Sequence, residues 1–86
     1  MQKKVFQDEE ALNRHLIQVL KEIRTNMNLS QPELETKLGV GSEYISKIER
    51  GKTKVTLELL RKFTTVFNMD ISDIVLRAER KYGIYE

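Results

Sequence analysis

The sequence contains no cysteine and a single histidine. Without thiols the chain can form neither disulfides nor thiolate metal sites, and nothing in it indicates an oxidising compartment. His15 stands beside Asn13 and Arg14 without a second ligand at a spacing of four, so a metal site or a general base there is not expected. A glycine-rich phosphate loop is also missing. We therefore expect no enzymatic activity, no metal and no cofactor.

Long apolar runs are also missing. No stretch approaches the roughly 20 apolar residues of a membrane-spanning helix, and the N-terminus, MQKKVFQDEE, turns acidic where a signal peptide needs an apolar run. We expect a cytoplasmic protein without membrane contact. The 86 residues, 40% hydrophobic and 33% charged, suit one small folded domain with one core. The net charge is only +2, so the placement of charges must indicate any anionic partner.

Apolar residues recur at helical spacing, and no segment alternates with a period of two. In the first helix, which Asp8 would cap, the core-facing side is built of Leu12, Leu16, Leu20, Ile23 and Met27. Val19 falls on the same side and Ile17 falls off it. Asn28 suits a left-handed helix end. Two more helices are predicted near the C-terminus, from Thr56 to Phe67 and from Asp70 onward. The expected fold is all-α, a compact five-helix bundle.

The middle of the chain predicts two short helices joined by a tight turn. Ser30 followed by Glu33 is a capping box, and Pro32 is tolerated in a first turn. Gly39 suits the left-handed end of this second helix. We expect Gly41 to be the N-cap of a third helix, from Ser42 to about residue 50, which Gly51 closes. This arrangement is typical of a helix-turn-helix.

The predicted third helix has two different sides. At about 100° per residue, its polar side consists of Ser42, Glu43, Ser46, Lys47 and Arg50. The opposite side carries Tyr44, Ile45, Ile48 and Glu49, of which the two isoleucines would anchor the helix to the core. A polar side of this kind can contact base edges in the major groove. It is equally typical of any helix at a protein surface.

The run from Ser30 to Gly51 resembles the phage-repressor helix-turn-helix family of the Cro and lambda-repressor type. The matching elements are Leu29-Ser30-Gln31, Glu33-Leu34, Leu38-Gly39-Val40, Tyr44-Ile45-Ser46 and Ile48-Glu49-Arg50-Gly51-Lys52. Leu57, Leu60 and the stretch from Met69 to Ile74 look like the family's fourth and fifth helices. The resemblance covers residues 16–75. It implies a lambda-repressor-like domain that inserts its third helix into the major groove of double-stranded DNA and regulates transcription as a repressor.

The resemblance also implies roles for individual side chains. Those expected to face bases are Ser42, Glu43, Ser46 and Lys47; those expected to contact the DNA backbone are Gln31, Arg50, Lys52, Thr53 and Lys54. Gln31 would in addition brace the third helix. Lys47 can donate to guanine, and Glu43 can accept from cytosine. The amides at the start of the second helix could hold a phosphate. The other interpretation of the basic loop is a solvated run of charge.

In the family, the positions of Arg24 and Glu49 tend to form an ion pair between the first and third helices, and we expect a partly buried pair here. Two residues depart from the family pattern. Glu35 replaces the usual alanine beneath the crossing of helices two and three. It must turn outward, find a cation such as Lys47, or push the helices apart. Gly41 replaces the usual serine or threonine cap.

We expect three parts in the chain: a flexible N-terminal arm (1–8), which lacks helical periodicity, the helix-turn-helix DNA-binding domain (9–76), and a helix end or extended tail (77–86). A homodimer on a palindromic operator is expected, with contacts from helix five and the tail: Ile74, Val75, Leu76, Ala78, Tyr82, Ile84 and Tyr85. Ile17 and Val19 could add to that surface. Alternatively, these residues complete the monomer core. Two other functions stay open, an antitoxin with a toxin protein as partner and a protein-interaction module that has kept the fold.

Overall fold

A computed structural model describes the backbone of residues 3–4, 9–82 and 84–85 and the side chains of residues 10–80. Within these ranges the chain folds into five helices, which confirms the predicted all-α class. The helices are α1 (Glu9–Asn26), α2 (Gln31–Leu38), α3 (Tyr44–Glu49), α4 (Leu57–Phe67) and α5 (Ile71–Tyr82). The helix-turn-helix therefore consists of α2 and α3.

The two ends of the chain meet in a short antiparallel pair that the sequence did not indicate. Strand β1 (Lys3–Lys4) lies beside β2 (Ile84–Tyr85), with Lys3 opposite Tyr85 and Lys4 opposite Ile84. The C-terminal residues contain both conformations that the sequence left open, since α5 continues to Tyr82 before the extended pair. The remaining residues of the predicted arm and tail, and the proposed cap Asp8, lie outside the described residues.

Most helix boundaries follow the predicted local signals. Ser30 and Glu33 form the complete capping box at the start of α2, and the Thr56 hydroxyl accepts from the Leu59 amide at the start of α4. Four helices end at a residue with positive φ: Asn28 (58°), Gly39 (70°), Gly51 (75°) and Asn68 (52°). In each case the next amide bonds back to a carbonyl of the last helical turn. These are Schellman-type endings, which satisfy carbonyls that lack partners within the helix.

The start of α3 is where the prediction is wrong. The helix begins at Tyr44 rather than Ser42, and its N-cap is Glu43, not Gly41. The Tyr44 amide donates to the Gly41 carbonyl at 3.3 Å, so Ser42 and Glu43 form a turn ahead of the helix. Glu43 has a φ of 67°, in the left-handed region that a residue with a side chain adopts at a cost. A cap supplied by another helix, described below, explains the later start.

The core is one cluster to which all five helices contribute. Helix α5 packs mainly along α1, while α2 contacts α3 and α4. Val19 lies in the core as predicted; Ile17, predicted outside it, is also buried, and Met27, predicted inside, is 53% exposed. Ile74 and Ala78 are fully buried. Four residues considered for a dimer surface, Ile17, Val19, Ile74 and Ala78, thus complete the monomer core. None of the helices in the described ranges is long and apolar enough to cross a membrane.

Candidate nucleic-acid interface

Helix α3 buries one side and exposes the other. Ile45 and Ile48 are 2% and 1% exposed and fix the helix to the core. Lys47 and Arg50 are exposed to solvent, and Ser46, which directly precedes Lys47, is half-buried. The preceding turn presents Ser42 and Glu43, which are both exposed. Of the four predicted base-facing residues, Ser46 and Lys47 therefore lie on the helix, and Ser42 and Glu43 lie in the turn before it. We call this set (Ser42, Glu43, Ser46 and Lys47) the polar face.

The basic segment that follows α3 is held at both ends. At its start, the Lys52 amide donates to the Lys47 carbonyl at 2.8 Å and the Gly51 amide to the Ile48 carbonyl at 3.0 Å. At its end, the Val55 amide donates to Asn13 Oδ1 of α1 at 2.8 Å. Lys52 and Lys54 carry exposed cationic side chains on this segment, Arg50 is exposed directly before it, and Thr53 is half-buried. The charges therefore stand on a short, fixed loop beside the polar face.

An ion-pair network holds the C-terminal end of α3 against α1. Arg24 Nε lies 2.7 Å from Glu49 Oε2, and Arg24 Nη2 lies 3.0 Å from Glu49 Oε1. The third guanidinium nitrogen, Nη1, donates to the Leu29 carbonyl at 2.8 Å. The side chains of Arg24 and Glu49 are only 11% and 7% exposed. A two-pronged pair with this burial fixes direction as well as distance, because both partners are planar.

Gln31 extends the network from α2. Its Nε2 donates to Glu49 Oε1 at 2.7 Å, so the side chain braces α3, which is one of its two predicted roles. The first turn of α2 offers a phosphate fewer donors than expected. Pro32 has no N–H, the Glu33 amide donates to Ser30 Oγ, and the exposed Glu33 carboxylate adds negative charge there. The Ser30 amide donates to that carboxylate at 2.8 Å and, together with the Ser30 side chain, lowers the pKa of Glu33.

Glu35 makes a contact that was not among the three courses expected for a glutamate at this position. It is 6% exposed, and its Oε2 accepts from the Ile45 amide at 3.0 Å. The carboxylate lies at the N-terminal end of α3, where it satisfies an amide of the first turn and suits the positive end of the helix. Among the residues with described side chains, Glu35 is the one charged residue that is buried. It stabilises the contact between α2 and α3 by capping.

Two of these contacts were missed by reasoning from the sequence. For Glu35 a signal existed, because the carboxylate replaces a small residue in the same chain in which glycine replaces the cap at position 41. Because Gly41 offers α3 no capping side chain and Glu35 of α2 carries an acceptor, the sequence could have predicted a cap from α2. For Asn13 we see no sequence signal, since its partner is the backbone of Val55, 42 positions later.

Among the described residues, no group of three histidine, cysteine, aspartate or glutamate side chains could hold a metal ion. His15 lines a groove of about 670 Å³ together with Arg14, Arg50 and Lys54, between α1 and the basic loop. Glu10 and Glu49 also line this groove, so both signs of charge are present there.

Comparisons with known proteins agree on one family. The family model described as "Helix-turn-helix" matches residues 20–74. An uncharacterized HTH-type transcriptional regulator from Archaeoglobus fulgidus is 39% identical over 62 residues, which cover 72% of this chain and 87% of the relative. A second, from Haemophilus influenzae, is 32% identical over 82 residues, or 91% and 84% of the two chains. The crystal structure of the clp gene regulator ClgR from C. glutamicum superposes with a TM-score of 0.71 at 25% identity, covering 83% of this chain and 92% of that one.

Proposed function

Because the chain belongs to the helix-turn-helix family of DNA-binding transcriptional regulators, we propose that it binds a specific duplex sequence by inserting α3 into the major groove. The observation that carries this proposal is the polar face, beside which Arg50, Lys52 and Lys54 are exposed on the fixed loop. Side chains from the face contact base edges, and the loop cations contact phosphates. The net charge of +2 does not oppose this function, because positive charge is concentrated where the duplex lies.

The rigidity of α3 supports sequence-specific rather than general binding. One side of the helix is buried in the core, and its last turn is fixed to α1 and α2 through Glu49. A recognition helix held in this way presents its polar side chains in one orientation, so a mismatched base pair loses a contact that the protein cannot restore by tilting. Each such mismatch costs about 1–3 kcal/mol in typical protein–DNA complexes.

The proposal is tested by selection of bound sequences from a pool of random duplexes. The wild-type protein is expected to enrich one sequence motif. Lys47→Ala should relax the preference at one position of that motif, because a lysine that donates to guanine discriminates one base pair. If the wild-type protein enriches no motif under low-salt conditions, the proposed function is wrong.

Salt dependence separates the roles of the face and the loop. Lys52→Ala should weaken binding to all sequences and lower the slope of log affinity against log salt by about one, as for a lost phosphate contact. Arg77→Ala is the matched control, since it also removes one exposed cation, but from α5. If both variants lower this salt slope equally, DNA binding depends on the total charge of the protein and not on the cations of the loop.

We also propose that two copies bind together on a palindromic site. A single six-residue helix contacts few base pairs, whereas two copies contact half-sites about one helical turn apart. Within the described side chains of α5, Leu76 is 41% exposed and Val75 is half-buried, so this helix retains an apolar surface outside the core. Sedimentation measurements with the selected duplex should show two protein chains per palindrome. A monomer at high concentration, with and without the duplex, would reject the dimer.

We propose that the regulator is a repressor. The described fold consists of one small helical domain, and binding at a site that overlaps a promoter blocks polymerase by occupancy alone. A reporter gene placed behind the selected motif should lose expression when the protein is produced. An increase in expression, abolished by Lys47→Ala, would indicate an activator.

A further inference from the structure

Helix α3 begins without a cap of its own. Its N-cap residue, Glu43, has a φ of 67° and makes no side-chain capping bond. Gly41, two residues earlier, has no side chain. A helix start leaves amides without partners inside the helix, and an unpaired buried amide is costly. The first turn of α3 therefore depends on an acceptor from elsewhere in the chain.

Glu35 supplies that acceptor and at the same time closes the preceding helix. Its side chain accepts from the Ile45 amide at 3.0 Å, while its backbone carbonyl accepts from the Val40 amide at 3.1 Å. One residue of α2 therefore bonds both to the start of the linker, at Val40, and to the first turn of α3, at Ile45. The linker spans residues 39–43, and both hydrogen bonds that flank it come from Glu35.

This arrangement determines which side chains belong to the helix and which to the turn. While Glu35 caps the Ile45 amide, Ser42 and Glu43 lie in the turn that is closed by the hydrogen bond from the Tyr44 amide to the Gly41 carbonyl. With a serine cap at position 41, both would lie in the first helical turn and point in other directions, because a helical residue turns by about 100° relative to its neighbour. The polar face therefore depends on which residue caps α3.

We infer that Glu35 is a positioning residue for DNA recognition: by capping α3 from α2 it holds Ser42 and Glu43 in the turn and so sets the base preference of this part of the interface. The inference rests on the proposed function. Glu35 itself is buried and does not contact DNA. Its effect on specificity is exerted entirely through the backbone position at which α3 begins.

The first part of the test needs no DNA. Amide hydrogen exchange at Ile45 should become about tenfold faster in Glu35→Ala relative to exchange at Leu60 in the core, as expected for a lost cap. Glu35→Gln keeps an oxygen acceptor and should restore most of the protection. If Glu35→Ala leaves the ratio of Ile45 to Leu60 exchange unchanged, the capping role is wrong, whatever the protein binds.

The second part compares base preferences in the random-duplex selection. The double variant Glu35→Ala/Gly41→Ser returns a cap to the chain and should regain the thermal stability that Glu35→Ala loses. It should nevertheless select a motif changed at the positions contacted by Ser42 and Glu43, with the Lys47 position retained. Glu35→Gln should select the wild-type motif. A merely structural role for Glu35 would give the wild-type motif in every variant that is folded.

The outcomes distinguish this inference from the proposed function. A wild-type protein that enriches a motif, with the same motif in the double variant, overturns the inference and leaves the proposed function intact. A wild-type protein that enriches nothing overturns the proposed function and with it the effect on specificity. A changed motif in the double variant together with wild-type selection by Glu35→Gln supports both.

Discussion

The two helices of the helix-turn-helix begin in different ways. Helix α2 is capped by its own neighbours, since Ser30 and Glu33 bond to each other's backbone at an exposed site. Helix α3 is capped from α2 by Glu35, at a buried site. The start of α2 is therefore stabilised by its own neighbours, whereas the start of α3 depends on the packing of α3 against α2. The helix proposed to face DNA is thus positioned by long-range contacts at both of its ends.

The largest loss of stability is expected from breaking the ion pair at the C-terminal end of α3. Arg24→Gln leaves Glu49 with Gln31 as its remaining side-chain donor, in a site where both charged partners are nearly buried. Breaking one partner of such a pair should destabilise the protein by about 3 kcal/mol, and Glu49→Gln should have a similar effect. Urea denaturation measures both, with exposed Arg77→Gln as the control that changes stability little. Unchanged stability in both variants would show that α3 does not depend on this network.

The two caps provide the next comparison. Ser30→Ala should cost about 1 kcal/mol, the usual value for a local cap. Glu35→Ala should cost more, about 2 kcal/mol, because it leaves the buried Ile45 amide without an acceptor. Denaturation of the two variants side by side tests the order. An equal or smaller loss in Glu35→Ala would mean that removing a buried charge compensates for the lost hydrogen bond.

A smaller difference is expected between the two glycines of the linker. Gly39 has a φ of 70°, where an added Cβ is strained, whereas Gly41 has an ordinary φ and no atom near an added Cβ. Gly39→Ala should therefore cost about 1 kcal/mol, and Gly41→Ala should change stability by less than about 0.5 kcal/mol. If Gly41→Ala proved as costly as Gly39→Ala, position 41 would have a conformational role that this structure lacks.

The smallest effect is the pH dependence of the local cap. Hydrogen bonding from Ser30 lowers the pKa of Glu33 below its usual 4.5. Because the folded-state pKa is the lower one, the resulting stabilisation is complete above the unfolded pKa and is lost as the pH falls through the folded pKa. The wild-type protein should therefore exceed Glu33→Gln in stability at neutral pH, and the difference should shrink below pH 4.5. If the stability difference instead grows on acidification, the ionised form of Glu33 is not the form that stabilises the cap.

These comparisons also explain how much of the structure the sequence predicts. Ser30, Gly39, Thr56 and Asn68 act within a few residues of their own position, so their roles follow from local spacing. The positions of Ile45 and Ile48 follow from helical periodicity. The family resemblance implies an ion pair between Arg24 and Glu49, and the structure confirms this pair.

The errors have a common physical origin. The start of α3 was misplaced by two residues because its cap comes from position 35, ten residues before the amide that it binds. Ile17 is buried and Met27 is exposed, against the helical periodicity, because the periodicity of one helix does not give the positions of the elements that pack around it. In each case the deciding contact lies outside the helix to which the residue belongs.

The central claim, that the polar face contacts bases, is tested most directly by a crystal structure of the protein with its selected duplex. The account predicts α3 in the major groove, Lys47 in contact with a base edge, Lys52 and Lys54 beside phosphates, and the hydrogen bond between Glu35 and Ile45 retained. A duplex bound along α4 or α5, with the polar face turned to solvent, would contradict it.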